Sequence, residues 1–278
     1  MCRWLAYSGD PIALSDLVFD TRHSLIDQSI AAHFSGQTTN GDGFGIGWYD
    51  ELPNPGMYKH TQPAWNDANL RDLCEHTRSR MFLAHVRAST GTAIQQSNCH
   101  PFRHGRWLFV HNGVIRDYLR LRRELSLALG EELYVELKGT TDSELMFYLA
   151  LQFGMERDVL GGVARMVGFV EDVGYAAGVK HPMQMTLGIA DGERLYAFRY
   201  SSEGQSRTLF HSTDIEAIRE ELEPEHREHL ESIHAGARVI VSEPLSDLPQ
   251  LWQEIPESSF LTIEGGHVEH RHFIPIRP

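Results

Sequence analysis

The sequence has few cysteines, no long apolar run and no excess of basic residues. Its three cysteines are odd in number and far apart, which argues against a disulfide framework and favours a reducing, cytoplasmic setting. No apolar run reaches the roughly 18 residues of a membrane-spanning helix, and Asp10 and Pro11 come too early for a signal peptide. The net charge of −13 argues against nucleic acid or an anionic membrane as a partner.

Metal-binding and nucleotide-binding motifs are missing as well. No His-Glu-x-x-His or Cys-x-x-Cys pattern occurs, although the chain has 16 histidines. His226, His229 and His234 lie in the strongly charged segment 220–234, which we interpret as a solvated helix face. The glycine-rich segment 40–49 lacks the Gly-x-Gly-x-x-Gly spacing of dinucleotide-binding loops. We therefore expect neither a metal nor a cofactor.

The composition is that of a globular protein with a sizeable core. Hydrophobic residues make up 41% of the 278 positions, and no linker, repeat or low-complexity segment interrupts them. We predict one domain over residues 1–278.

Cys2 combines two reactive groups once Met1 has been removed. Its thiol has an ordinary pKa of about 8.5 and its free α-amine one of about 7.7–8.0. The amine can therefore take the proton from the thiol, as it does for N-terminal threonine nucleophiles. A cysteine at position two is more often incidental, so other motifs have to support a catalytic role.

The N-terminal third alternates between strands and helices. Residues 2–8 predict a buried strand that ends in a turn at Gly9-Asp10-Pro11, with one or two helical turns over 12–19. Residues 66–80 predict an amphipathic helix. In residues 40–49 we expect a strand with large residues on one face. The glycines on its other face allow another layer or a ligand to approach closely.

Arg87 comes near the end of a predicted buried strand that starts at Met81. A buried guanidinium needs an anion, because an unpaired buried charge is costly. The anion could be a carboxylate of the core or the carboxylate of a substrate, which arginine binds in bidentate fashion.

His111-Asn112-Gly113 ends another predicted strand, which begins at Trp107. The tripeptide could be no more than a turn. Alternatively, the Asn112 side-chain amide and the Gly113 backbone N–H point at one spot and form an oxyanion hole.

Asp142 lies in a predicted capping box, Thr141-Asp142-Ser143-Glu144, before an apolar run. A carboxylate in a first helical turn commonly stabilises the helix dipole. It could also pair with the ammonium group of a substrate. The chain beyond residue 153 is predicted to be β-rich, with hairpin turns at Asp191-Gly192 and Gly265-Gly266.

Four motifs follow one another in a specific order along roughly residues 2–200: Met1-Cys2, His85-Val86-Arg87-Ala88-Ser89-Thr90, His111-Asn112-Gly113 and Thr141-Asp142. With this set the chain resembles the class II glutamine amidotransferases of the N-terminal-nucleophile (Ntn) hydrolase superfamily. Its opening Met1-Cys2-Arg3 and its Gly41-Asp42-Gly43-Phe44-Gly45 segment are most similar to the stand-alone branch, which includes the γ-glutamyl hydrolases of ergothioneine biosynthesis. The resemblance implies an α+β fold, a four-layer αββα sandwich of two mostly antiparallel sheets.

The resemblance also implies roles for individual residues. Cys2 would be the nucleophile of a thioester mechanism, with Asn112 and Gly113 as the oxyanion hole. Arg87, assisted by Thr90, would bind the α-carboxylate of a glutamine or γ-glutamyl substrate. Asp142 would bind its α-amine.

The sequence departs from the family pattern at the lid over glutamine and in its missing acceptor site. Ala88 and Gly91 replace a large aromatic residue and a histidine that some members have. No synthase sequence is visible, so either a separate synthase subunit takes the ammonia or the enzyme simply hydrolyses a γ-glutamyl amide. An Ntn hydrolase of another amide and a non-catalytic regulatory subunit remain alternatives.

Overall fold

Two antiparallel β-sheets lie at the centre of the protein. The computed structural model describes residues 2–31, 39–89, 91–213 and 236–277. Its strands are β1 (Arg3–Ala13), β2 (Phe44–Trp48), β3 (Gly56–His60), β4 (Arg78–Val86), β5 (Phe102–His104), β6 (Trp107–Ile115), β7 (Met183–Ala190), β8 (Leu195–Ser201), β9 (Phe210–Ser212), β10 (Arg238–Val241), β11 (Trp252–Glu254), β12 (Ser259–Glu264) and β13 (His267–His272). Its α-helices are α1 (Ser15–Val18), α2 (Leu25–Ile30), α3 (Ala68–His76), α4 (Tyr118–Leu127), α5 (Glu131–Tyr134), α6 (Asp142–Gln152) and α7 (Val159–Ala176).

The described strands divide into two sheets. The first has the order β11-β9-β10-β1-β4-β2-β3, and the second has the order β13-β12-β8-β7-β6-β5. Neighbouring strands pair antiparallel in both sheets. In the first sheet β1 lies between β10 and β4, so the strand that follows Cys2 is central.

Three hydrophobic cores separate four layers. Leu5 and Tyr7 of β1 point outward and pack with Leu17 and Leu70 of the helices that cover the first sheet. Side chains of the alternate positions, such as Trp4, pack between the two sheets. A third core joins the second sheet to α4, α6 and α7. This is the αββα sandwich that the resemblance implied, and the expected fold class is confirmed.

The glycines of β2 allow the two sheets to meet closely, as the sequence predicted. A Cβ on Gly45 would lie 2.1 Å from the carbonyl oxygen of His100, and one on Gly47 would lie 2.8 Å from Leu108 Cδ1. Phe44 and Ile46 pack on the opposite face, in the outer core.

The boundaries of the first strand and of the helix over 66–80 were predicted wrongly. β1 does not end at Gly9-Asp10-Pro11 but continues to Ala13, with an irregular register between Ser8 and Ile12 against β4. The helical turn that follows is correspondingly short. The predicted helix 66–80 ends at His76 because Arg78 and Ser79 pair with β1. Pairing with a central strand therefore overrides local helical pattern at both places.

Two further predictions are wrong, and in both cases glycine residues misled the interpretation. His111-Asn112-Gly113 is not a turn, since β6 continues to Ile115 along β7. The region after residue 153 is not only β-rich, because it contains the 18-residue helix α7. Glycines lower the helix propensity of α7 and hide it from pattern analysis. One of them, Gly168, lies where a Cβ would be 2.1 Å from the carbonyl oxygen of Ile276, so close packing requires it.

Candidate active site

Cys2 lies at the edge of the space between the sheets. It shares its side-chain direction with Trp4, so the partly exposed thiol points towards the second sheet. Its Sγ lies 3.6 Å from the carbonyl oxygen of Ala88, just beyond β4. The loop after β4 therefore lies directly beside the thiol.

Asn112 faces the same inter-sheet space from β6. Val110 and Leu108, two and four positions earlier, pack between the sheets, and strand alternation places Asn112 on that face. A hydrogen-bond chain links the two strands: Trp4 Nε1 donates to Thr186 Oγ1 (3.1 Å), which donates to the Asn112 carbonyl oxygen (3.3 Å). Among the described residues, nothing hydrogen-bonds to the Asn112 side-chain amide. The amide is therefore free to donate to a bound substrate.

The backbone N–H of Gly113 points to an uncovered part of the β6 edge. The Ile115 N–H donates away from β7, to Asp142 Oδ2 at 2.8 Å. Because N–H groups alternate along a strand, that of Gly113 points to the same edge. β5 covers this edge only as far as Phe109. A Cβ at Gly113 would lie 2.0 Å from the carbonyl oxygen of Gln184, which explains the glycine.

Arg87 is buried, and its guanidinium binds loop atoms. It donates to the carbonyl oxygens of Asp42 (3.2 Å) and Ala93 (3.3 Å) and to the hydroxyls of Ser89 (3.3 Å) and Thr92 (2.6 Å). Within the described ranges no carboxylate forms an ion pair with it. The alternative of a salt bridge within the core thus finds no support in this part of the chain.

Asp142 begins α6 and ties this helix to β6. Its two carboxylate oxygens accept hydrogen bonds from the backbone N–H groups of Ile115 (2.8 Å) and Ser143 (2.9 Å). Thr141 caps the helix by accepting from the Glu144 N–H at 3.2 Å. Only half of the predicted capping box forms, because the Glu144 carboxylate accepts from Lys138 and Gly139 instead.

Arg87 and Asp142 both lie within electrostatic reach of the Cys2 thiol. Burial raises the pKa of this thiol, Arg87 opposes the rise and Asp142 adds to it. The thiol is therefore protonated at neutral pH and needs a base to become a nucleophile. One cation and one anion within electrostatic reach of the thiol match the two charged groups of an amino-acid substrate.

Three buried histidines received no role in the sequence interpretation, although two of them belong to the motifs. The rings of His85 and His100 lie 4.1 Å apart, and His111 Nδ1 lies 2.8 Å from Ser143 Oγ. Burial lowers the pKa of His85 to about 3, and it also lowers the pKa values of His100 and His111. All three are neutral at neutral pH, so they surround the site without adding charge.

Some predicted features fall outside the described residues. Thr90 and the histidines His226, His229 and His234 are among them. In the part of the chain that is described, no three His, Cys, Asp or Glu side chains gather as a metal-binding group. Nor does any helix there have both the length and the apolar character needed to cross a membrane.

Comparison with known proteins decides the family. The sequence matches the family described as class II glutamine amidotransferases over residues 1–275. The chain belongs to this family. Membership confirms the recognition and the expectation of an enzyme that hydrolyses the γ-amide of glutamine or a γ-glutamyl compound.

Two curated relatives match nearly the whole length of this chain. It is 31% identical over 292 residues to the probable glutamine amidotransferase DUG3 of Saccharomyces cerevisiae, covering 95% of this chain and 82% of that protein. It is 29% identical to the gamma-glutamyl-hercynylcysteine sulfoxide hydrolase of Mycolicibacterium smegmatis, covering 96% of this chain and 98% of that one.

Solved structures agree with the fold. A glutamine aminotransferase class-II domain protein from Silicibacter pomeroyi matches with a TM-score of 0.72 and 33% identity, covering 99% of this chain and all of that one. The glutamine phosphoribosylpyrophosphate amidotransferase of Bacillus subtilis has a TM-score of 0.65 at 14% identity and covers 98% of this chain, but only 49% of its own length. At that identity the likeness concerns the fold alone.

Proposed function

We propose that Cys2, after removal of Met1, performs amide hydrolysis as an N-terminal nucleophile, through a thioester with the γ-carbonyl of the substrate. The observation that supports this proposal is the arrangement of four groups around the inter-sheet space. Cys2 and Asn112 face this space from opposite sheets, and Arg87 and Asp142 lie within electrostatic reach of the thiol. Loss of hydrolysis in a Cys2→Ala variant is the experiment that tests it.

The thiol needs a base, because burial raises its pKa. The α-amine of Cys2 takes the proton as sulfur attacks the amide carbon. The negative charge that develops on the carbonyl oxygen is stabilised by the Asn112 amide and the Gly113 N–H. When the intermediate collapses, the ammonium of Cys2 returns its proton to the leaving nitrogen, and a thioester remains. Water, deprotonated by the same amine, then releases the acid and the free thiol.

The charged end of the substrate is bound away from the reacting amide. Arg87, assisted by Thr90 three positions later, binds the α-carboxylate, and Asp142 binds the α-ammonium. Asp142 suits this role because two backbone N–H groups hold its carboxylate in place. Fixed charges lose little freedom on binding and therefore orient the amide towards Cys2.

Replacing Arg87 with lysine is expected to raise KM by about 10- to 100-fold with a smaller change in kcat, since lysine cannot form the bidentate carboxylate pair. Steady-state kinetics on a γ-glutamyl amide measure both constants. Arg103→Lys is the matched control, because the Arg103 guanidinium binds a distant backbone carbonyl, that of Pro55. A fall in kcat with unchanged KM would contradict a carboxylate-binding role.

We further propose that the physiological substrate is a γ-glutamyl compound larger than glutamine. Similarity to a protein named as a γ-glutamyl compound hydrolase, over 98% of that protein, supports this. The remote part of such a substrate supplies binding energy that is used in the transition state. The second candidate is glutamine itself, with a separate synthase subunit accepting the ammonia.

Larger leaving amines are expected to raise kcat/KM on γ-glutamyl amides by at least about tenfold over free glutamine. A series of amides with leaving groups of increasing size, assayed with the isolated chain, measures this. Equally high kcat/KM on free glutamine would contradict the larger-substrate proposal. Slow turnover of every amide, relieved by a second protein, would instead favour the separate synthase subunit.

We also propose that residues 1–278 form a single domain and that the enzyme works in the cytoplasm. The family match over residues 1–275 supports the first. The second is supported by the three cysteines, which are all free thiols.

A further inference from the structure

Arg3 joins the nucleophile to a buried carboxylate. Its Nη1 donates to the carbonyl oxygen of Cys2 at 2.8 Å, and its Nη2 forms an ion pair with Glu243. The two charged side chains are only 4% and 3% exposed. Burial of such a pair is expensive and adds little to stability by itself, so a role at the adjacent nucleophile is the better explanation.

The segment that carries Glu243 is fastened to β1. The Trp4 N–H donates to Ser242 Oγ (3.1 Å), and the Ser242 N–H donates to the Trp4 carbonyl oxygen (3.0 Å). Gln28 of α2 donates to the backbone carbonyl of Glu243 at 3.2 Å. Hydrogen bonds from β1 and α2 therefore fix the backbone around Glu243, and with it the position of the ion pair relative to Cys2.

A cation at this place acts on the proposed base. The carbonyl and the α-amine of Cys2 share one Cα, so the Arg3 guanidinium lies within about 6 Å of the amine. A buried positive charge at that range disfavours a second one and thus favours the unprotonated amine. Glu243, on the far side of the guanidinium, offsets part of this effect.

We propose that Arg3 and Glu243 are positioning residues that fix Cys2 through its carbonyl and together set the proton affinity of its α-amine. This inference rests on the proposed function, because the amine is a base only in a chain that lacks Met1. It adds a reason for arginine at position 3.

Other charged and titratable groups face Cys2 from the elements around it. Arg87 and Asp142 act on its thiol from the loop after β4 and from α6. Cys99 faces it from the segment before β5, and Arg207 lies near Arg3. Asp42 accepts the Ser89 N–H at 2.7 Å, one residue beyond the Ala88 carbonyl that the thiol contacts. All of them stay unchanged when only the ion pair is altered, so a difference between variants reports on the pair.

The test is the pH dependence of kcat/KM for hydrolysis of a γ-glutamyl amide by protein shown by mass to lack Met1. The rate rises with pH as the amine loses its proton. Arg3→Gln removes the positive charge, so the midpoint of the rise in kcat/KM is expected at a pH about one unit higher. Glu243→Gln leaves that charge uncompensated, so the midpoint of the rise in kcat/KM is expected at a lower pH. Arg3→Lys keeps the charge and is expected to keep the wild-type profile.

Two further variants keep the test decisive. Glu171→Gln alters a buried carboxylate bonded to Tyr200 and Ser202, on the helix layer beyond the second sheet, and is expected to leave the profile unchanged. Where Glu243→Gln fails to fold, the double variant Arg3→Gln/Glu243→Gln replaces the ion pair by neutral amides. The midpoint of its pH profile is expected to lie above that of the wild type but below that of Arg3→Gln.

The outcomes separate this inference from the function on which it rests. A wild-type protein without Met1 that hydrolyses no amide would contradict the proposed function. An active wild type, with profiles that stay in place in Arg3→Gln and in the double variant, would overturn the role of the ion pair. Shifts of the same direction in both single variants would do so too, because loss of structure does not distinguish the sign of a charge.

Discussion

Replacing Cys2 with alanine is expected to abolish amide hydrolysis, by at least about four orders of magnitude in kcat/KM, because no other group forms the thioester. The fold is expected to survive. Cys2 is partly exposed and precedes β1, and among the described residues its thiol forms one long hydrogen bond, 3.6 Å to the Ala88 carbonyl oxygen. Its loss should change the free energy of unfolding by no more than about 1 kcal/mol. Product release and thermal unfolding measure the two quantities.

The other cysteines provide the control for this experiment. Cys74 packs in the outer core of the first sheet, and Cys74→Ala is expected to keep the activity per folded molecule. Cys99 is likewise expected to be dispensable for the chemistry, since it acts as a small buried hydrophobic residue. Activity that persists in Cys2→Ala would remove the thioester mechanism altogether.

Replacing Asn112 with alanine is expected to lower kcat by about 100- to 1000-fold, because one oxyanion donor is lost. KM should change little, since the donor matters most when the negative charge develops. The protein should remain folded, because no hydrogen bond of the Asn112 side chain to another described residue is broken. Steady-state kinetics on a γ-glutamyl amide provide both constants.

A matched variant sharpens the assignment of Asn112. Asn112→Asp keeps the shape but replaces the donor by a negative charge, so its kcat is expected to fall below that of Asn112→Ala. If Asn112→Ala raised KM and left kcat unchanged, Asn112 would be a binding residue instead of an oxyanion donor.

Local sequence patterns were sufficient for elements whose geometry is set locally. The Gly265-Gly266 turn between β12 and β13 has φ values of 53° and 81°, which glycine adopts freely. Local sequence patterns were insufficient where another strand or helix decides the conformation. Gly113 suggested a turn, but it lies within β6 because this strand pairs with β7 as far as Ile115, and the carbonyl of Gln184 leaves no room there for a Cβ.

The candidate site likewise contains residues that local motifs identify and contacts that local motifs do not reveal. Cys2, Arg87, Asn112 and Asp142 were identified from motifs. In the structure Arg87 and Asp142 lie within electrostatic reach of the Cys2 thiol, and Asn112 shares a strand face with Leu108 and Val110 of the inter-sheet core. The contact between Arg3 and Glu243 joins residues 240 positions apart, and that between Trp4 and Thr186 joins residues 182 apart. No local pattern reveals such pairs, since they exist only once the strands have been ordered into sheets.

The most direct measurement of the central claim is mass spectrometry of the protein after reaction with an electrophilic glutamine analogue. The account predicts one equivalent of label, carried by an N-terminal peptide that begins at Cys2 and lacks Met1. Excess γ-glutamyl amide should protect against it. Label on Cys74 or Cys99, or folded protein from the native host that keeps Met1 and takes up no label, would contradict the account.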